Sequence, residues 1–187
     1  MKRICIFASG TGSNAEKIIA HFAESDLARV VLVVSDKPDA GVLDVARNAS
    51  ISTLLINNEE LKLGDELVVA LRDRQIDLIV LAGFLRLLPP MLLQAFPDKI
   101  INIHPSLLPA HGGKGMYGQR VHQAVLNARE DISGITIHYV NELYDDGRVI
   151  FQAQCSVLPT DNVSTLAARV LRLEHEHYPL QLEKILQ

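Results

Sequence analysis

Short, continuous apolar runs set between helical patterns constrain this chain more than any other feature. Leu78 to Leu81 is apolar throughout, as a strand buried on both faces must be. Lys2 to Ala8, Arg29 to Val34, Thr53 to Ile56 and Ile100 to Ile103 read as further strands. Between them, Ala15 to Ser25, Val42 to Ala49, Asp65 to Arg74 and Pro89 to Phe96 carry helical spacing, the last opening on a Pro-Pro pair that suits a helix start. Strand–helix alternation of this kind predicts an α/β fold, a single doubly wound, mostly parallel sheet with helices on both faces.

The second half departs from strict alternation. Gln119 to Ala128 reads as helix. Ile135 to Val140 and Val149 to Val157 read as strands around a polar turn, so a C-terminal hairpin-like pair is expected. Val163 to Ile185 reads as one long closing helix, interrupted or kinked at Pro179. No repeat or linker marks a second domain, so residues 1–187 are expected to form one.

Composition excludes several classes. A net charge of −4 provides no basic footprint for a nucleic-acid backbone. No apolar run reaches the roughly 18–20 residues that span a bilayer, and the apolar stretch after Met1-Lys2-Arg3 breaks at Ser9-Gly10, too soon for a secretory signal. Cys5 and Cys155 have neither metal-knuckle nor disulfide spacing, so a cytoplasmic setting is the expectation.

Three segments carry chemistry. Ser9-Gly10-Thr11-Gly12-Ser13-Asn14 joins the first strand to the first helix, where small residues and unpaired N–H groups make an anion site. With Ala15 it also satisfies the G-x-G-x-x-A dinucleotide fingerprint, and Asp36 stands near the end of the second strand like a ribose-binding acid. The loop alone therefore leaves phosphosugar and dinucleotide open. The second segment is Ile101-Asn102-Ile103-His104-Pro105-Ser106-Leu107-Leu108-Pro109. Asn102 and His104 share a face at the carboxyl end of a strand, where open sheets place ligands. An amide beside an imidazole suits an oxyanion donor beside a proton donor. The third is Tyr144-Asp145-Asp146-Gly147 after a strand, where a carboxylate could set the ionisation of a nearby imidazole.

These segments, with Leu81-Ala82-Gly83-Phe84-Leu85-Arg86-Leu87-Leu88 before them and Glu174-His175 with Tyr178-Pro179 after, occur in an order that resembles the folate-dependent formyltransferases across essentially the whole chain. Within that superfamily the resemblance is to the phosphoribosylglycinamide formyltransferases of purine synthesis. It implies transfer of a formyl group from 10-formyltetrahydrofolate, a cosubstrate, to the amine of 5'-phosphoribosylglycinamide. Asn102 and His104 would stabilise the oxyanion, and Asp145, two residues before the glycine of an Asp-x-Gly turn, would favour the imidazolium and help relay protons. Gly12, Ser13 and Asn14 would hold the acceptor's phosphate and Glu174 its ribose hydroxyls. Leu85, Arg86, Leu87, Leu88 and Asn141 would line the folate site, with Leu93 a candidate wall.

The resemblance further implies a cis Leu108–Pro109 bond, no metal, and small-molecule partners rather than nucleic acid or membrane. It assigns about 1–100 to the phosphosugar half and about 101–187 to the catalytic and folate half. Lys62 is the nearest counterpart of a basic residue that grips the folate glutamate in relatives. Residues 110–118 are longer and richer in glycine than in many relatives. Oligomeric state is left open, a homodimer included. Other formyl-folate enzymes, a sugar-amine formyltransferase or a formyltetrahydrofolate hydrolase, are the nearest alternatives. A nicotinamide-binding domain using Gly10, Gly12, Ala15 and Asp36, or a non-catalytic phosphosugar module, is more distant. Among the other histidines, His138 reads as a satisfied buried residue, His175 and His177 lack ligand spacing, and His21 and His122 read as exposed.

Overall fold

The computed structural model describes residues 1–187. Seven strands form one sheet: β1 (Lys2–Phe7), β2 (Ala28–Ser35), β3 (Ser52–Leu55), β4 (Leu78–Leu81), β5 (Ile100–His104), β6 (Ile132–Tyr139) and β7 (Val149–Ser156). Their order across the sheet is β3-β2-β1-β4-β5-β6-β7. The first five are mutually parallel, and β6 and β7 complete the sheet antiparallel. The apolar runs explain the arrangement: Ile4, Cys5, Ile6, Phe7 and Leu78 to Leu81 send alternate side chains into separate cores above and below the sheet.

One face is covered by α1 (Ser13–Phe22), α2 (Gly41–Asn48), α6 (Gln119–Ala128) and α7 (Val163–Leu186), whose Ile18, Val42, Val125 and Val170 enter the first core. The other is covered by α3 (Asn58–Leu63), α4 (Asp65–Asp73) and α5 (Pro90–Ala95), through Leu61, Leu67, Leu71 and Leu92. The chain reverses direction across the sheet between β1 and β4, the switch point where such folds bind ligands. Both neighbouring loops meet there, with the Ser9 N–H donating to the Gly83 carbonyl at 3.1 Å.

Two elements differ from the sequence expectation. α3 was not expected, being only six residues long, yet Asn57 caps the N–H groups of Glu59 and Glu60 while the Glu60 carboxylate returns to the Asn57 N–H. α7 is not interrupted at Pro179; it runs unbroken for 24 residues. Proline removes the N–H that would reach the carbonyl four residues back and crowds that carbonyl with its ring, a local cost that tertiary packing offsets here. The neighbouring Tyr178, Gln181 and Leu182 are buried and hold the turn in place. The Tyr178 hydroxyl donates to the carbonyls of Leu81 (3.0 Å) and Ile101 (3.1 Å), tying α7 to β4 and β5 beside the site.

Candidate active site

Because side chains alternate along a strand, the last turn of β5 offers Asn102 and His104 to the same side. Across the antiparallel pairing Asn102 faces His138 and His104 faces Thr136. His104 is buried, 4% exposed, and both ring nitrogens face oxygen: Nδ1 lies 3.3 Å from Asp145 Oδ2 and Nε2 3.0 Å from the His111 carbonyl. The turn after His104 is held by Thr136, whose hydroxyl donates to the Ser106 carbonyl and accepts from the Leu108 N–H and from Gln152. The Leu108–Pro109 bond is cis.

Asp145 enters from the loop between β6 and β7. Burial raises its carboxyl pKa, but the His104 hydrogen bond and charge, the Gly113 N–H at 2.9 Å and His138 lower it further, leaving it below the ordinary range. The neighbouring Asp146 instead accepts from Asn141 Nδ2 at 3.1 Å in an exposed contact. Gly147 sets this register, since a Cβ there would collide with the Tyr139 carbonyl.

The glycine loop lies on the other side of the cavity. Gly12 adopts φ 86, and a Cβ on it would come 2.7 Å from Val42 Cα, so glycine lets α2 pack against the loop. The N–H groups of Gly12, Ser13 and Asn14 make no backbone hydrogen bond, as the start of α1 requires. Asn14 Nδ2 donates to Glu174 Oε2 at 2.6 Å. Burial pushes the Glu174 carboxyl pKa up, against the opposing pull of Asn14 and His104.

Asp36, the ribose acid of the dinucleotide reading, is already engaged. It accepts from Ser9 Oγ at 2.6 Å and from Arg86 Nε at 3.0 Å.

The site lies in one cavity of about 890 Å³, whose lining excludes Gly12 and Asp36. It brings together Ser13, Asn14, Leu85, Arg86, Leu87, Leu88, Asn102, His104, Asp145 and Glu174, drawn from both halves of the chain. Leu85 and Leu87 are about half exposed, an apolar ledge able to carry a flat ring. Asn141 and Lys62 are not among the lining residues; Asn141 is engaged with Asp146 and Leu143, and Lys62 stands on α3. Leu93 packs against the second core. No cluster of three or more His, Cys, Asp or Glu could hold a metal ion.

Sequence reasoning missed Lys114, Tyr117 and Arg120, which also line the cavity. Their signal was the glycine-rich segment 110–118, where Gly113, Gly115 and Gly118 adopt positive φ and let the loop turn back over the site. Two histidine expectations are corrected. His122 is 5% exposed rather than a surface residue, because α6 turns it inward to line the cavity. His21 is half-buried, its Nε2 3.0 Å from Glu183 on α7. His138 is buried as expected, and both its nitrogens are bonded.

An amide, an imidazole and a carboxylate thus converge at the switch point of an open α/β sheet, an arrangement suited to stabilising an oxyanion and moving a proton. Comparison with known proteins gives the family: residues 2–182 match the model described as "Formyl transferase", and the chain belongs to that family. It is similar to phosphoribosylglycinamide formyltransferase of Bacillus subtilis, at 39% identity over 100% of this chain and 95% of that protein. The chloroplastic phosphoribosylglycinamide formyltransferase of Arabidopsis thaliana is 44% identical over 95% of this chain. This chain spans 63% of that plant protein and 58% of its Vigna unguiculata counterpart. Among solved structures, glycinamide ribonucleotide transformylase 1 from Geobacillus kaustophilus superimposes with TM-score 0.91 at 38% identity, covering 100% of both chains.

Proposed function

We propose that this chain transfers the formyl group of 10-formyltetrahydrofolate to the amine of 5'-phosphoribosylglycinamide. The observation that carries the reading is the convergence of Asn102, His104 and Asp145 at the end of β5, with His104 Nδ1 3.3 Å from Asp145 Oδ2. In the reaction the amine attacks the formyl carbon, a C–N bond forms, and the bond from that carbon to N10 breaks. The carbonyl oxygen carries negative charge in between, and Asn102 and His104 donate to it. The proton lost by the amine passes through the His104–Asp145 pair towards N10, so no oxidant or further reactant is needed.

His104 Nε2 is turned towards the His111 carbonyl. To reach the oxyanion it must exchange that acceptor for the substrate oxygen. The free N–H groups of Gly12 to Asn14 suit the acceptor's phosphate, and the Asn14–Glu174 pair its ribose hydroxyls. The ledge of Leu85, Leu87 and Leu88 suits the pteridine, whereas Lys62 and Asn141 stand outside the cavity. The engagement of Asp36 by Ser9 and Arg86 argues against a nicotinamide ribose in its place.

The test is steady-state formyl transfer from 10-formyltetrahydrofolate to phosphoribosylglycinamide, with formate release followed in parallel. Formylated product without stoichiometric formate is expected. Formate alone makes the chain a hydrolase, and neither product removes the reading.

A further inference from the structure

A primary amide can stabilise an oxyanion only if its nitrogen, not its oxygen, faces the reacting carbonyl. Asn102 has no intrinsic preference between those two orientations, which differ by a half-turn of the terminal torsion. Its neighbour across the sheet supplies one. His138 Nδ1 lies 2.8 Å from the Tyr139 carbonyl, an acceptor only, so the proton of a neutral ring resides on Nδ1. Nε2 is then a lone pair, and it lies 3.1 Å from Asn102 Nδ2. Only the amide nitrogen can donate to it; the flipped amide would set oxygen against lone pair. One Asn102 N–H is consumed, and the second, fixed in the same plane, is left for the cavity that Asn102 lines.

The surroundings hold the imidazole in this state. Its ring is 2% exposed, and burial, the largest influence, pushes its pKa down, keeping it neutral against the pull of Tyr139 and Asp145. The β6–β7 register shifts between Ile137 and His138, a bulge of the kind that re-aims a side chain beside a site. Gly147 packs so closely on Tyr139 that a Cβ would collide with the carbonyl receiving the His138 proton and lie 3.4 Å from Nδ1. Asp145 Oδ1, 3.8 Å from Nε2, is the acceptor a protonated ring would turn to, at the expense of Asn102.

We propose that His138 is a positioning residue: its Nδ1–H tautomer, set by the Tyr139 carbonyl, orients the Asn102 amide as an oxyanion donor. The proposal deepens the formyl-transfer reading and rests on it for its kinetic arm. Its spectroscopic arm does not.

Long-range ¹H–¹⁵N NMR of the intact protein reports the tautomer directly, and the Nδ1–H form is expected. An Nε2–H signature overturns the proposal whatever the enzyme does. In the kinetic arm, His138→Ala is expected to lower kcat about tenfold, the scale of one net hydrogen bond, with KM for both substrates little changed. His138→Gln, whose amide oxygen can accept from Asn102, should recover part of the loss, and it replaces the alanine variant should that one not fold. In an Asn102→Ala background the same His138 substitution should have almost no further effect on kcat. An undiminished kcat in His138→Ala, or an equal loss with and without Asn102, overturns the proposal. Wild-type protein that transfers no formyl group defeats the functional reading and leaves the NMR result standing.

Discussion

Replacing Asp145 by Asn removes one charge while changing the side chain's shape hardly at all. At the observed 3.3 Å from His104 Nδ1, two unit charges attract by about 5 kcal/mol at an effective dielectric of about 20. Desolvation of a carboxylate only 10% exposed offsets much of that, and hydrogen bonds to charged groups retain about 1.5–3 kcal/mol net. If the pair acts in the transition state, turnover at saturating substrates should fall about 10- to 150-fold. Asp146→Asn is the matched control, because Asp146 contacts only Asn141 at the surface, and it should retain near-normal turnover.

Stability gives a second readout. The Asp145 carboxyl is held below its ordinary range, so its contribution is complete above the unfolded-state value of about 3.9 and is lost as pH falls through the lower folded value. Asp145→Asn should therefore cost stability at neutral pH and flatten the acid limb of a denaturation profile. Equal kinetics in the two variants, or a greater loss in Asp146→Asn, would refute the register assigned to this loop.

Asn102→Ala should fold normally and lose about 10²-fold in kcat, measured at saturating substrates, because one preorganised donor is removed. Glu174→Ala frees Asn14 Nδ2 and should raise KM for the phosphosugar about tenfold with a smaller change in kcat; a selective rise in folate KM would move Glu174 to the other substrate. Tyr178→Phe deletes the hydroxyl bonded to Leu81 and Ile101 and should lower unfolding free energy by about 1–3 kcal/mol in a urea titration.

The core strands were legible because both-face burial leaves a simple trace, a run of apolar residues such as Leu78 to Leu81. The end of β5 was legible because strand alternation alone puts Asn102 and His104 together, whereas the choice of Asp145 over Asp146 came from the Asp-x-Gly turn of the relatives the chain resembles, with Gly147 as its glycine. What could not be read were relations between distant residues. His122 lies beside Val121 and Val125 on the buried face of α6, a polar residue on an apolar stripe, so its inward direction shows only once α6 packs. The cavity-facing turn of residues 112–118 depends on several positive-φ glycines acting together. At Pro179 the expected interruption is absent because a local rule about helices was overridden by the tertiary packing of Tyr178 and Leu182.

Asp36 shows how one local pattern can serve a different chemistry. A dinucleotide site needs its acid free at the end of β2 to meet ribose hydroxyls. Here both carboxylate oxygens are used within the chain: Ser9 binds one and Arg86 the other. Ser9 leads into the glycine loop and Arg86 belongs to the leucine ledge, so the carboxylate links the two walls of the cavity across the β1–β4 switch point. Its pKa is lowered although burial opposes this, because Ser9 and Arg86 both donate to the ionised form. A group-transfer site needs its two substrates at fixed separation. By spanning the walls, Asp36 adds a side-chain tie to the Ser9–Gly83 backbone hydrogen bond and the β1–β4 pairing that already hold them at fixed separation.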